Sequence, residues 1–152
     1  MATEYYGTLC DRFEKLKLAF LPKEFSPTGE YDDCVFEHTR AYKAMTHAEL
    51  ESYFEETGKA IAKKAWEEWK ENQTASRVLI ALVVFQSKTE SIPESVGKNS
   101  SKDERNLNMR VQDAYTSYIK YINGANNGIK EKNLLHIFLP LGLEPSDFPE
   151  EL

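Results

Sequence analysis

Apolar residues recur every three or four positions in long stretches of the chain, which is the pattern of amphipathic α-helices. The first stretch covers residues 5–20, and Pro22 ends it. The second stretch, residues 31–72, contains no proline. It predicts either one very long helix or two helices joined near Gly58, because glycine weakens a helix interior without excluding it. The first half of the chain is therefore predicted to be helical.

The second half continues this pattern with one ambiguous segment. Residues 78–85 are apolar on all sides, but no second candidate strand exists to pair with them. They predict a buried central helix with Thr74 as its N-cap. A polar loop over 87–103 follows, then helices over 104–123 and 129–139, which end at turn residues. The pattern predicts an all-α fold, a helical bundle of about five or six helices in a single domain over residues 1–152.

Composition narrows the class of protein. Hydrophobic residues make up 41% and charged residues 29% of the 152 residues, which argues against a disordered chain. The net charge of −6 argues against binding nucleic acid by overall charge, so any such contact must be local. The N-terminus has no pattern of a signal peptide, and no apolar run is long enough to span a bilayer. We expect a cytoplasmic protein without a membrane partner.

Two cysteines, Cys10 and Cys34, could form one disulfide. Free thiols are favoured, because no secretory signal is recognised and free cysteine commonly packs as a small hydrophobe. The sequence has no paired Cys-x-x-Cys motif and no His-Glu-x-x-His motif. It therefore predicts no metal site and no cofactor.

One polar stripe on the second predicted helix could carry chemistry. Arg40 and His47 are seven residues apart, with Lys43 between them and Glu51 one turn beyond, so all four lie on one side of a helix. Arginine and lysine hold phosphate, imidazole moves a proton, and a carboxylate orients the imidazole. The stripe is typical of phosphodiester chemistry, with Arg40, His47 and Glu51 as candidate catalytic residues. A solvated helix face with paired charges is the alternative.

Other candidates have weaker signals. A modest basic cluster could contact phosphate or RNA, or could be a solubilising loop; its members are Lys98, Lys102, Arg105 and Arg110. Trp66 and Trp69 could stack on bases, but their spacing favours packing in the core. His136 lies within an apolar helix and is predicted to be a core or interface histidine.

Three stretches together resemble the HEPN superfamily, in particular the branch associated with RiboL-PSP proteins. They are residues 13–31, residues 40–55, and residues 127–135 followed by Leu-Pro-Leu-Gly-Leu at 139–143. The resemblance implies an all-α bundle that dimerises, and in many members a metal-independent ribonuclease of a toxin–antitoxin or phage-defence system. The site of such enzymes forms at the dimer seam from an Arg-x(4–6)-His motif of each protomer.

In this branch the motif is expected on a helix after the Leu-Gly-Leu segment, so the resemblance implies that the chain lacks that catalytic helix. Arg40 and His47 match the spacing on an earlier helix. Two functions follow as hypotheses: a dimeric ribonuclease acting on RNA, or a non-catalytic helical module that binds a partner protein of such a system. A third and weaker hypothesis is a nucleotide sensor that uses residues 98–110.

Overall fold

The computed structural model describes residues 2–86 and 107–147, and most of these residues are helical, as predicted. Short 3-10 turns cover Leu139–Leu141 and Pro145–Asp147. The five α-helices of the described residues are α1 (Ala2–Phe20), α2 (Asp33–Asn72), α3 (Arg77–Gln86), α4 (Leu107–Gly124) and α5 (Glu131–Phe138). The described ranges contain no strand, so the all-α prediction is confirmed.

Contacts along the backbone group the chain into two compact units, Met1–Thr57 and Gly58–Leu152. Helix α2 is continuous through this boundary, with residues 33–57 in the first unit and residues 58–72 in the second. The prediction of a single domain stays a prediction.

Helix α2 runs unbroken for 40 residues, so of the two alternatives the single long helix is correct. Gly58 is buried within it, and a Cβ added at this position would lie 2.6 Å from the Tyr118 hydroxyl oxygen and 3.0 Å from Ile137 Cγ2. The glycine thus allows α4 and α5 to approach α2 closely, and it does not break the helix.

The core of the second unit lies where the end of α2 packs with α3, α4 and α5. Tyr118 is fully buried at its centre, and its hydroxyl donates a hydrogen bond of 2.9 Å to the carbonyl of Ile137. The other buried hydrophobic side chains of this unit are Ala62, Ala65, Leu79, Leu82, Val111, Ala114, Ile122, Ile137, Phe138 and Leu141. All but one of the buried hydrophobic side chains that the structure describes therefore belong to residues 58–147.

Helix α3 is buried on one side only, which corrects the prediction of a fully buried central helix. Leu79 and Leu82 are buried against α4 and the 3-10 turn at 139–141. Ile80, Val84 and Phe85, by contrast, are 57%, 70% and 57% exposed. An all-apolar sequence has no polar side to mark the exposed face, so periodicity could not reveal it.

The N-cap of α3 is Ser76 and not Thr74. The Ser76 Oγ accepts a hydrogen bond of 3.2 Å from the backbone N–H of Leu79, and the Ser76 carbonyl accepts one of 3.0 Å from Ile80 N–H. This is the geometry of a helix N-cap. Thr74 is exposed two residues earlier. The prediction placed the start of the helix slightly too early.

Among the glycines with a left-handed backbone conformation, Gly128 is predicted from the sequence and Gly142 ends the 3-10 turn. Gly128 has φ +88° between α4 and α5, and Gly142 has φ +76° after the 3-10 turn. Both positions favour glycine, because a side chain is strained there. The predicted loop at 87–103 lies outside the described residues.

In the first unit, α1 packs along the N-terminal part of α2. Leu9 is buried there, and Arg12 Nε lies 3.3 Å from Glu49 Oε1. The rings of Phe20 and His38 meet edge to face at a centroid distance of 6.2 Å. In the connector after α1, the backbone N–H of Ser26 donates a hydrogen bond of 2.8 Å to the Tyr31 hydroxyl oxygen.

Candidate functional site

The predicted catalytic stripe lies on the first part of α2. Arg40, Lys43 and His47 are all exposed, and Glu51 is half-buried. An unbroken helix at this point brings the four residues to one side, as the spacing predicts. Their catalytic roles stay predictions.

Arg40 has a partner that the sequence reasoning did not assign. Its Nη1 lies 2.6 Å from Glu37 Oε1, and the two side chains are 77% and 67% exposed. The i,i+3 spacing of the two residues was the signal that could have found this pair. A carboxylate bound to the guanidinium competes with any phosphate that approaches Arg40, although an exposed ion pair of this kind is weak.

His47 receives no hydrogen bond or ion pair from the residues that the structure describes. Glu51 takes part in an interaction within the chain, and its predicted support of the His47 ring stays a prediction. An exposed imidazole can exchange a proton with a bound substrate.

The predicted basic cluster is only partly described. Lys98, Lys102 and Arg105 lie outside the described residues. Arg110 lies on α4, is half-buried and interacts within the chain. Whether these four residues come together as a phosphate-binding cluster stays a prediction.

The two tryptophans pack within the second unit, which confirms the core interpretation. The Trp66 ring stacks on Tyr115 with a centroid distance of 5.0 Å and an interplanar angle of 5°. Lys70 lies on the same helix α2 as Trp66, and its Nζ is 5.1 Å from the centre of the Trp66 ring. Trp69 donates its indole N–H to Asn108 Oδ1 at 3.1 Å, and both rings pack on the buried cluster around Ala65.

Two other predictions need correction in part: the packing of the cysteines, and the core alternative for His136, whose interface alternative stays a prediction. Cys10 and Cys34 are free, as expected, but both are exposed and do not pack as small hydrophobes. His136 is also exposed, although it has a partner: its Nδ1 lies 2.9 Å from the Tyr121 hydroxyl, and the two rings meet edge to face. The last turn of α5 places this histidine beside Tyr121 of α4. Burial raises the pKa of the Tyr121 phenol above its ordinary value.

Within residues 2–86 and 107–147, no group of three or more His, Cys, Asp or Glu residues could hold a metal ion. In the same residues no helix is long and apolar enough to cross a membrane. Comparison of the chain with protein-family models, with curated proteins and with solved structures gives no match.

The exposed side of α3 is the feature that the sequence reasoning missed. We call it the α3 apolar face and define it as Ile80, Val84 and Phe85. Residues 78–86 carry no charge, and Arg77 at the start of the helix lies 3.7 Å from Asp147 Oδ2. Three large apolar side chains on one side of a short helix, in a segment that carries no charge over residues 78–86, are typical of a protein–protein contact.

Proposed function

We propose that this protein is a helical interaction module that associates with a second copy of itself through the α3 apolar face. The exposure of Ile80, Val84 and Phe85 carries the proposal. Contiguous exposed apolar side chains cost free energy in water, and this cost is relieved when a partner covers them.

The chemistry of the face favours a second copy as the occupant. A two-fold interface brings the same residues of both subunits together. Identical side chains of the two copies must therefore be able to contact each other without repulsion. Hydrocarbon side chains do so without repulsion. The absence of charge over 78–86 matters here, because the net charge of −6 opposes contact between copies at acidic surfaces.

Light scattering after gel filtration tests the proposal. The wild-type protein is expected to have the mass of a dimer, and Val84→Glu to have the mass of a monomer, because each copy would bury an unpaired carboxylate. Leu18→Glu is the matched control. Leu18 is 81% exposed on α1, so the same change of charge there should leave the dimer intact. A monomeric wild type, or a Val84→Glu variant that stays dimeric, contradicts the proposal.

The second candidate function is a metal-independent ribonuclease that uses the stripe on α2. The joint exposure of Arg40, Lys43 and His47 supports it, since all three side chains are accessible to an RNA backbone. His47 would take the proton of a ribose 2′-hydroxyl as its oxygen attacks the adjacent phosphorus. The P–O5′ bond would break, the 5′-oxygen would take a proton from water as it leaves, and a 2′,3′-cyclic phosphate would remain.

An RNA cleavage assay in the presence of EDTA tests this second candidate. Wild type is expected to cleave and His47→Ala to lose the activity, whereas His38→Ala on the same helix should keep it. His38 is a suitable control because its ring packs on Phe20, away from the stripe. No cleavage by the wild type, or equal cleavage by His47→Ala, removes this function.

A further inference from the structure

A pocket of about 510 Å³ lies between α1 and the first part of α2, within residues 1–57. Its size falls in the range of small-molecule sites, roughly 300–1,000 Å³. The buried Leu9 contributes an apolar surface, and the rings of Tyr5 and Tyr53 are half-buried beside it. The remaining lining residues are Glu4, Thr8, Glu49, Ser52 and Glu56. We call this feature the α1–α2 pocket.

Helix periodicity explains why these side chains converge. On α1 the lining residues lie at positions 4, 5, 8 and 9, and on α2 at positions 49, 52, 53 and 56. Both sets follow the i, i+3 and i, i+4 spacing of a single helix face. Each helix therefore contributes one tyrosine ring and at least one carboxylate to the same space.

The charge of the lining favours a cationic ligand. Three of the eight lining residues are glutamates, and none of the eight is a lysine or an arginine. At the edge of the pocket the guanidinium of Arg12 already lies against Glu49, with its Nε 3.3 Å from the carboxylate oxygen. The chain thus shows, in its own contacts, the kind of group that this carboxylate accepts.

We propose that the α1–α2 pocket binds a guanidinium group, either of a free small molecule or of an arginine side chain. A guanidinium is planar, so it can stack on a tyrosine ring while its N–H groups reach carboxylates at the rim. Fork-shaped pairing with carboxylates favours a guanidinium over a compact ammonium group at such a site. This site is separate from the α3 apolar face and does not depend on self-association.

Titration of the full chain at low salt, followed by amide NMR shifts, tests the proposal with butylguanidinium as the probe. Saturable shifts are expected at residues of the α1–α2 pocket. Butylurea, which has nearly the same shape but no charge, should give none. The blocked peptide acetyl-Gly-Arg-Gly-amide distinguishes the sources: tighter binding than butylguanidinium assigns an arginine of a peptide, and equal or weaker binding assigns a free small molecule.

Variants distinguish binding in the α1–α2 pocket from nonspecific binding of a cation to other acidic residues. The double variant Glu4→Gln and Glu56→Gln is expected to weaken binding of butylguanidinium by about five-fold or more, the range for losing exposed charge pairs. Tyr53→Leu should weaken it by about five-fold, whereas Tyr53→Phe keeps the ring and should bind like the wild type. Glu14→Gln is the matched control, because Glu14 lies on α1 outside the lining and is 69% exposed.

Two results would overturn the proposal. One is a set of non-saturable shifts spread over acidic residues of the whole chain. The other is an equal loss of binding in Glu14→Gln and in the double variant. Helical circular dichroism of each variant checks that the fold persists, and the comparison of the double variant with Glu14→Gln keeps the test decisive if Tyr53→Leu does not fold.

Discussion

Tyr118 shows how a single side chain joins three helices of the second unit. It projects from α4, its hydroxyl donates to the carbonyl of Ile137 at the end of α5, and the same hydroxyl lies against Gly58 of α2. The sequence marks Tyr118 as one of several apolar positions on a helix. It does not mark the hydrogen bond, because the acceptor is a backbone carbonyl 19 residues away.

Burial of Tyr118 predicts a dependence of stability on alkaline pH. Burial raises the pKa of this phenol far above its ordinary value of about 10, so the folded state keeps the proton that the unfolded state loses. The contribution of the buried phenol to the free energy of unfolding is complete below about pH 10 and is lost as the pH rises beyond that value. In urea unfolding from pH 8 to 11, the free energy of unfolding should therefore fall more steeply for wild type than for Tyr118→Phe. Parallel slopes for the two proteins would contradict this account.

The contact at Gly58 predicts a second effect at the residue scale. In Gly58→Ala the new Cβ meets the Tyr118 hydroxyl and Ile137, so the variant should be destabilised by about 1–3 kcal/mol. Gly7→Ala is the control, since a Cβ at Gly7 on α1 has nothing within 4 Å and should be neutral or stabilising. Urea unfolding compares the two variants, and equal stability of Gly58→Ala and wild type would mean that the helices do not approach as described.

Among the elements, the start of α3 offers the clearest test, because two candidate caps lie two residues apart. Ser76→Ala should lower the free energy of unfolding by about 1 kcal/mol, since it removes the acceptor of the Leu79 N–H. Thr74→Ala should change it by no more than about 0.5 kcal/mol, as expected for an exposed position. Thermal unfolding of the two variants measures the difference, and a larger loss in Thr74→Ala would restore the sequence-based cap.

The positions of the helices can be predicted from the sequence more reliably than the tertiary contacts that cover each helix. Periodicity places α1, α2, α4 and α5 because their apolar and polar positions differ, and proline or glycine marks the C-terminal ends of α1, α4 and α5. Helix α3 has no such contrast, so its sequence identifies a helix but not which side is covered. That side is decided by contacts with α4 and the turn at 139–141, which are tertiary and leave no local pattern.

At the scale of the whole molecule, the sequence predicts some features of the candidate site and misses others. Helix spacing predicts that Arg40, Lys43 and His47 share a side of α2. It does not predict that Arg40 forms its ion pair with Glu37 rather than with another carboxylate. The α1–α2 pocket was also beyond sequence reasoning, because its lining comes from residues about 45 positions apart.

Hydrogen–deuterium exchange measured over a range of protein concentrations tests the central claim most directly, because it needs no substitution and reports on each helix. If copies associate through the α3 apolar face, exchange in residues 77–86 should slow as the concentration rises, since association stabilises the bound helix. Exchange in residues 2–20 should stay the same. Unchanged exchange in 77–86 at concentrations from micromolar to millimolar, or slowing confined to 2–20, would contradict the account.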